Sequence, residues 1–162
     1  GGHEVRRIEV ARLEFPWLRT KDEFEKGTPP DSIKQAQDAI RWADHLVIFY
    51  PLWLGSMPAL LKAFLEQVFR PGVAFEYRAQ GKMAKKLFTG KSARIVVTMG
   101  MPALVYRWFF LAHSLKSLER NILAFCGIKP TRATLIGQVE GMNERQRASW
   151  LDEMRGLGDV GK

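Results

Sequence analysis

Apolar positions along this chain recur with two different periods, and the switches between them mark out its elements. Val5, Ile8, Val10 and Leu13 predict a first strand around Glu4 to Val10. Glu14 to Pro30, punctuated by Pro16, Gly27, Pro29 and Pro30, reads as a long irregular connection. Ile33, Ala36, Ile40 and Ala43 then return at helical spacing, which predicts a helix capped by Asp31 and running to about Ala43. His45 to Tyr50 is a short apolar run suited to a strand buried on both faces. Leu61, Phe64, Leu65 and Val68 line one side of a helix from about Pro58 to Phe69, with its proline tolerated in the first turn. Arg70 to Gly90 contains glycine and many basic residues and reads as an excursion from the core. Ala93 to Thr98 is a second buried-type strand, and Ser117 to Cys126 is a helix ended by Gly127. Thr131 to Ile136 forms the last strand, and Asn143 caps a final helix to about Leu157.

The order is β, α, β, α, β, α, β, α. Strict alternation with apolar strands predicts a parallel sheet covered on both faces, a doubly wound α/β domain. With 162 residues the chain is long enough for one such domain, spanning residues 1–162, and too short for two. Ligands of these sheets sit outside the carboxyl ends of the strands. Trp53 to Ser56 and Thr98 to Pro102 both come directly after strands, so they are expected side by side at that edge.

Composition narrows the picture only a little. Hydrophobic residues make up 46% and charged residues 26%, without a low-complexity tract, which is the make-up of a folded protein. The formal charge of +8 calls for an acidic partner to be considered. Its densest cluster, Lys82, Lys85 and Lys86 with Lys91 and Arg94 beyond, lacks both interleaved exposed aromatics and a nucleic-acid motif. No nucleic-acid partner is predicted; a solvated basic face able to attract phosphorylated cofactors is. The single cysteine, Cys126, falls in the apolar pattern of a helix and reads as a buried structural thiol in a cytoplasmic protein. Met99 to Ala112 is interrupted by Arg107 and too short to span a bilayer, no signal peptide is read before it, and no metal site is predicted.

Two loops carry the candidate chemistry. P-L-W-L-G-S-M-P-A-L-L-K-A-F-L-E-Q-V-F from Pro51 to Phe69, F-E-Y from Phe75 to Tyr77, V-V-T-M-G-M-P from Val96 to Pro102, and Tyr106 resemble the NAD(P)H:quinone oxidoreductase family of flavodoxin-like flavoproteins. That family includes DT-diaphorase, the bacterial modulators of drug activity and the ancillary flavoproteins of potassium efflux systems. The resemblance runs from His3 to about Leu157. It implies a flavodoxin-like sheet of order 2-1-3-4-5 and an FMN or FAD cofactor. It also implies two-electron hydride transfer from NAD(P)H, by way of flavin N5, to a quinone or similar acceptor. A regulatory flavoprotein subunit of a potassium efflux system is the alternative reading.

By the same resemblance, Pro51, Leu52, Trp53, Leu54 and Gly55 contact the flavin near N5 and O4, and Thr98, Met99, Gly100 and Met101 lie along its pyrimidine side. A flat ring with a polar edge needs an apolar wall and backbone amides aimed at that edge, and Gly55 and Gly100 allow a close backbone approach. Phe75 and Tyr77 match residues that wall the substrate pocket, commonly across a dimer. Tyr106, and more weakly His113, match groups that stabilise charge on the reduced ring. The apolar cluster Tyr106 to Leu111 is a candidate homodimer face. Each feature also has a plainer reading: a strand-to-helix turn plugged by Trp53, a tight turn with two core methionines, an exposed hairpin anchored by two aromatics, and a helix-lining histidine.

The chain departs from the family at its start. Family members open with a strand, a loop rich in His, Pro, Ser and Asn, and a helix whose N-terminus holds the flavin phosphate. Gly1-Gly2-His3-Glu4-Val5 resembles the family's sequence just after that helix, so the first βα unit is expected to be missing from this sequence. Two strands would then lack a shared neighbour. Each lost charge-assisted hydrogen bond to the phosphate costs about 1.5 to 3 kcal/mol, enough together to weaken flavin binding by several orders of magnitude.

Overall fold

Ile95, Val96 and Val97 are β-branched neighbours, stiff in χ1 and well suited to a strand packed on both faces. In a computed structural model, which describes residues 2–78 and 83–161, they occupy the middle of a parallel sheet. Gly1 and Lys82 of the sequence reading lie outside the described residues. The strands in chain order are β1 (His45–Pro51), β2 (Phe75–Glu76), β3 (Lys85–Lys86), β4 (Ser92–Thr98) and β5 (Thr131–Ile136). β4 lies between β1 and β5 and is parallel to both. Its register runs from His45 beside Ser92 to Pro51 beside Thr98 on one side, and from Ala93 beside Thr131 to Thr98 beside Ile136 on the other. The three later strands expected from the sequence are therefore present and parallel, but only β4 is buried on both faces; β1, expected to be so, has Tyr50 alone buried.

Six α-helical segments accompany the sheet: α1 (Lys21–Lys26), α2 (Asp31–Trp42), α3 (Ala59–Val68), α4 (His113–Ser117), α5 (Ala124–Cys126) and α6 (Glu144–Asp159). Ile33 and Ile40 of α2, Leu61, Phe64, Leu65 and Val68 of α3, and Ile95 and Val97 of β4 share one buried apolar cluster with Leu115, Leu118 and Leu123. Each such side chain, taken from water to full burial, contributes about 1.5 to 3 kcal/mol before entropy is counted. Asn143 caps α6 as expected, exchanging hydrogen bonds of 2.9 and 3.0 Å with Gln146.

Several expectations need correction. The strand predicted around Glu4 to Val10 does not form; residues 3–9 have no regular structure and Val10–Arg12 is a single 3-10 turn. A strand needs a hydrogen-bonded neighbour, and no described strand lies beside this segment. Ile8, Val10 and Leu13 pack against the core instead, and the Arg6 guanidinium sits 4.0 Å over the Trp42 ring. Asp31 is not the cap of α2: Pro30 holds that position and Asp31, inside the first turn, pairs with Lys34 at 2.9 Å.

The connection read as irregular contains α1. Thr20 Oγ1 accepts a hydrogen bond from the Glu23 amide at 3.1 Å, and Thr20-Lys21-Asp22-Glu23 has the spacing of a capping box. Buried polar side chains tie this connection down, because a buried donor needs an acceptor. Arg70 donates to the carbonyls of Glu23 and Gly27, and Gln67 to that of Pro16 at 2.6 Å.

Arg70 to Gly90 is likewise more than an excursion. Ala74, Phe75 and Phe88 are buried, and the antiparallel β2–β3 hairpin packs Phe75 edge-on against Phe125 with ring centres 4.9 Å apart. The helix expected from Ser117 begins earlier, at His113, and passes through a π-helical stretch at Leu118–Leu123 before α5. Gly127 ends it at φ 103°, where an added Cβ would meet the Thr89 nitrogen at 3.0 Å, so the position requires glycine.

β1 is the sheet edge, and one of its faces is open. Val47 and Phe49 are 49% and 64% exposed, while their register partners on the same face, Arg94 and Val96, are buried.

Cys126 is buried and unpaired by any disulfide, and burial pushes its thiol up from 9.0 to about 12. The unfolded chain therefore releases this proton first, so the folded state has its full advantage below pH 9 and loses it as pH rises toward 12. Between pH 8.5 and 9.5, where an ordinary thiol ionises ahead of an ordinary tyrosine, unfolding free energy should fall with a slope reaching about 1 kcal/mol per pH unit, measured by urea denaturation. Cys126→Ala should remove that slope; an equal slope in the variant would refute the assignment.

Candidate functional site

β1 ends at the exposed Pro51, and the chain then turns back on itself. The Trp53 amide donates to the Ser56 carbonyl at 2.8 Å and the Ser56 amide to the Trp53 carbonyl at 2.9 Å. The two residues between them, Leu54 and Gly55, both have positive φ, 48° and 75°. That is the geometry of a type I′ turn, tolerated by glycine and strained for leucine. It pushes Leu54 fully into solvent and leaves Trp53 64% exposed. A large aromatic and a leucine in left-handed conformation are thus held open to water at the end of β1, which makes this turn a candidate site. An added Cβ at Gly55 would meet nothing within 4 Å, so the glycine answers to the turn rather than to crowding.

The second loop is fastened to the first and to β5. The Leu52 amide donates to the Thr98 carbonyl at 2.7 Å, continuing the β1–β4 ladder past the strand ends. Met99 is buried, donates to the Ile136 carbonyl at 2.9 Å, and accepts from the Val139 amide at 3.2 Å. Met101 is half-buried and accepts from the Gln138 amide at 3.1 Å. Gly100 is exposed, and a Cβ there would meet nothing nearer than the Glu140 carboxylate at 3.7 Å. What these turns leave over is a set of donors: among the described residues, the amides of Leu54, Gly55, Gly100 and Met101 have no hydrogen-bond partner. Four unpaired donors thus flank an exposed indole at the carboxyl ends of two adjacent strands.

The remaining predicted residues divide. Tyr106 is 1% exposed, in a π-helical turn at Val105–Phe109, and its hydroxyl lies 2.7 Å from Ser114 Oγ and accepts from the Leu115 amide at 3.1 Å. It faces the protein interior. His113 is exposed at the start of α4, directly after two residues in left-handed conformation, Leu111 and Ala112. Phe75 is buried and Tyr77 exposed, with rings 5.3 Å apart and perpendicular, on the β2–β3 hairpin. No described contact joins that hairpin to the two loops.

One residue escaped the sequence reading. Tyr50, one position before Pro51, is buried with a hydroxyl that has no partner, and burial, with Tyr106 and Glu119 nearby, raises its pKa. Burial likewise raises Glu119, against the pull of Arg120 and Lys116. The residue read as the last apolar position of a strand therefore brings a polar atom beneath the site; only the phenol itself, at the strand's carboxyl end, signalled it.

A wide concavity lies elsewhere. An open groove of about 920 Å³ runs between Met83–Lys86, Glu119–Phe125 and Lys129–Thr131, at the amino end of β5. It touches neither loop, and its open basic lining lacks the convergent backbone donors found at the strand ends. Among the described residues no group of three or more His, Cys, Asp or Glu is placed to hold a metal, and no helix is long and apolar enough to cross a membrane.

Comparison with known proteins agrees with the fold. A family model described as a flavodoxin-like fold matches residues 1–156. An uncharacterized NAD(P)H oxidoreductase of Haemophilus influenzae is 28% identical over 127 residues, covering 78% of this chain and 62% of that protein. An FMN-dependent NADH:quinone oxidoreductase of Hahella chejuensis is 35% identical over 63% of this chain and 52% of its own length. A crystal structure from Streptococcus mutans superimposes with a TM-score of 0.70 at 29% identity, covering 90% of this chain and 73% of that one. The chain thus spans between about half and three fifths of the length of the two named relatives.

Tyr106→Phe should leave the Leu115 amide buried without an acceptor and destabilise the protein by about 1 to 3 kcal/mol in urea unfolding. Ser114→Ala, which leaves that bond intact, should cost distinctly less. Equal effects would show that the tyrosine hydroxyl does not anchor the turn.

Proposed function

The chain belongs to the flavodoxin-like fold family, and from that membership we propose that it serves in flavin-dependent reduction of quinones or similar acceptors by NAD(P)H. The observation that carries the proposal is the pairing of the Leu52–Ser56 and Thr98–Met101 loops through the Leu52 amide. It leaves the donors of Leu54, Gly55, Gly100 and Met101 unpaired around an exposed Trp53.

Those features fit a flavin. The isoalloxazine ring has an apolar face, which Trp53 and Leu54 can cover, and an edge of carbonyls and ring nitrogens, which accept from amides. FMN is the better supported form, since FMN-dependent relatives are the ones named; FAD makes the same ring contacts. When bound, the flavin supplies two-electron transfer between NAD(P)H and the acceptor. The protein's part is to hold the ring, orient the nicotinamide against it and exclude water. In this reading Tyr106 is a positioning residue: through Ser114 and Leu115 it fixes the turn beyond the Met99–Met101 loop. His113, exposed nearby, is the remaining candidate for a group that meets charge on the ring, and Phe75 with the exposed Tyr77 forms the aromatic wall offered to a substrate. A cytoplasmic location accords with the single buried thiol.

Titration of the protein with FMN and FAD, monitored by flavin fluorescence, tests the cofactor directly. Saturable quenching is expected, weakened about tenfold by Trp53→Ala through lost ring contact. NADH or NADPH oxidation with an added naphthoquinone should then depend on the bound flavin. Absence of saturable binding by either flavin would overturn the reading.

We further propose a homodimer. Leu104, Val105, Trp108, Phe109, Phe110 and Leu111 are all exposed, with Trp108 and Phe109 at 71% and 79%, in one stretch beside the site. A run of this kind, apolar and contiguous, is what an interface core consists of. Sedimentation velocity should find a dimer, and Trp108→Asp should shift it to monomer; a monomeric wild-type protein at the same concentration would refute it.

A further inference from the structure

At the opposite edge of the sheet, where the strands begin, three nitrogen-bearing side chains share one face, and among the described residues none of them has an acidic partner. Arg94 of β4 and Arg132 of β5 are register partners and so project from the same face, and His45 of β1, beside Ser92, is on that face too. Arg94 is 8% exposed; its Nη1 donates to Thr134 Oγ1 at 2.8 Å, while its Nε is buried with no partner. His45 Nδ1 lies 2.7 Å from Ser92 Oγ, and its Nε2 is also buried and unpaired. No ion pair of the described residues includes Arg94 or Arg132.

Two guanidinium charges within reach of each other, one of them taken from water, are expensive without a counter-charge. His45 is held below its ordinary range first by its own burial and then by the charges of Arg94 and Arg132. Beside them is a cleft of about 120 Å³ lined by His45, Ser92, Ala93, Pro130, Arg132 and Gly161. That volume admits a tetrahedral ion.

We propose that this cleft binds a free tetrahedral oxyanion, phosphate or sulfate, with Arg132 and the Ser92 hydroxyl as its direct donors. His45 orients that hydroxyl: its Nδ1–H donates to Ser92 Oγ, which leaves the hydroxyl proton free for the ion. Arg94, buried beneath, contributes charge through a medium that screens poorly. The site is separate from the loops at the carboxyl ends of the strands, and does not depend on what they bind.

The test uses the isotopically labelled full chain, with inorganic phosphate and sulfate added at constant ionic strength against chloride. Saturable shifts in the His45 ring and in the Ser92 and Arg132 signals are expected for both ions. Arg132→Ala should weaken phosphate binding at least about tenfold, the loss of a charge-assisted contact. Arg120→Ala, in the basic groove across the molecule, should leave it unchanged. AMP, whose phosphate has one oxygen tied to a bulky nucleoside, should bind distinctly more weakly than inorganic phosphate. Shifts that chloride reproduces, binding that survives Arg132→Ala, binding lost in Arg120→Ala, or AMP binding as tightly as phosphate would each overturn the proposal.

Discussion

The structure depends on the pairing of β4 with a strand on each side. Once Ser92–Thr98 is parallel to both His45–Pro51 and Thr131–Ile136, the strands end together, and the loops after β1 and β4 are obliged to be neighbours. The bond from the Leu52 amide to the Thr98 carbonyl carries that pairing one residue beyond the strands. The site is therefore built by the ladder and not by side chains reaching across a cleft. This is why its donors are backbone amides, whose positions are as rigid as the sheet that holds them.

The same arrangement has a cost at the other side of the sheet. β1 is left with an unpaired edge, and Val47 and Phe49 expose apolar surface on the face where Arg94 and Val96 are buried. Apolar exposure on an edge strand invites association, and the positively charged face next to it is the counterweight available within the described residues. At the strand beginnings that positive charge is concentrated on Arg94 and Arg132. At the strand ends the exposed groups are instead aromatic and apolar: Trp53, Leu54 and the stretch from Leu104 to Leu111. The two edges of one sheet thus differ in chemistry, one basic and the other aromatic and apolar.

Much of this is legible in the chain. The buried strands announce themselves as apolar runs, the loops after them as Trp-Leu-Gly-Ser and Met-Gly-Met, and Asn143 with Gln146 as a capping box. The pattern at Glu4–Val10 misleads because alternation reports a preference, whereas a strand exists only with a neighbour, which a local pattern cannot supply. α1 is hidden because prolines and a glycine outweigh the capping signal at Thr20 to Glu23. Sequence position places Tyr106 at the site, but its direction, inward to Ser114 and the Leu115 amide, is set by the π-helical turn that carries it. The left-handed backbone at Leu54, Leu111 and Ala112 has no signal at all, since residues with a Cβ avoid it.

On the proposed reading, unpaired backbone amides at two adjacent strand ends hold the flavin ring edge, and backbone amide chemical shifts during an FMN titration test this most directly. The largest changes are predicted at Leu54, Gly55, Gly100 and Met101, with smaller ones at Leu52 and Trp53, whose amides are already bonded within the fold. Changes centred on the groove at Arg120 and Lys129, with the four loop amides unmoved, would contradict it.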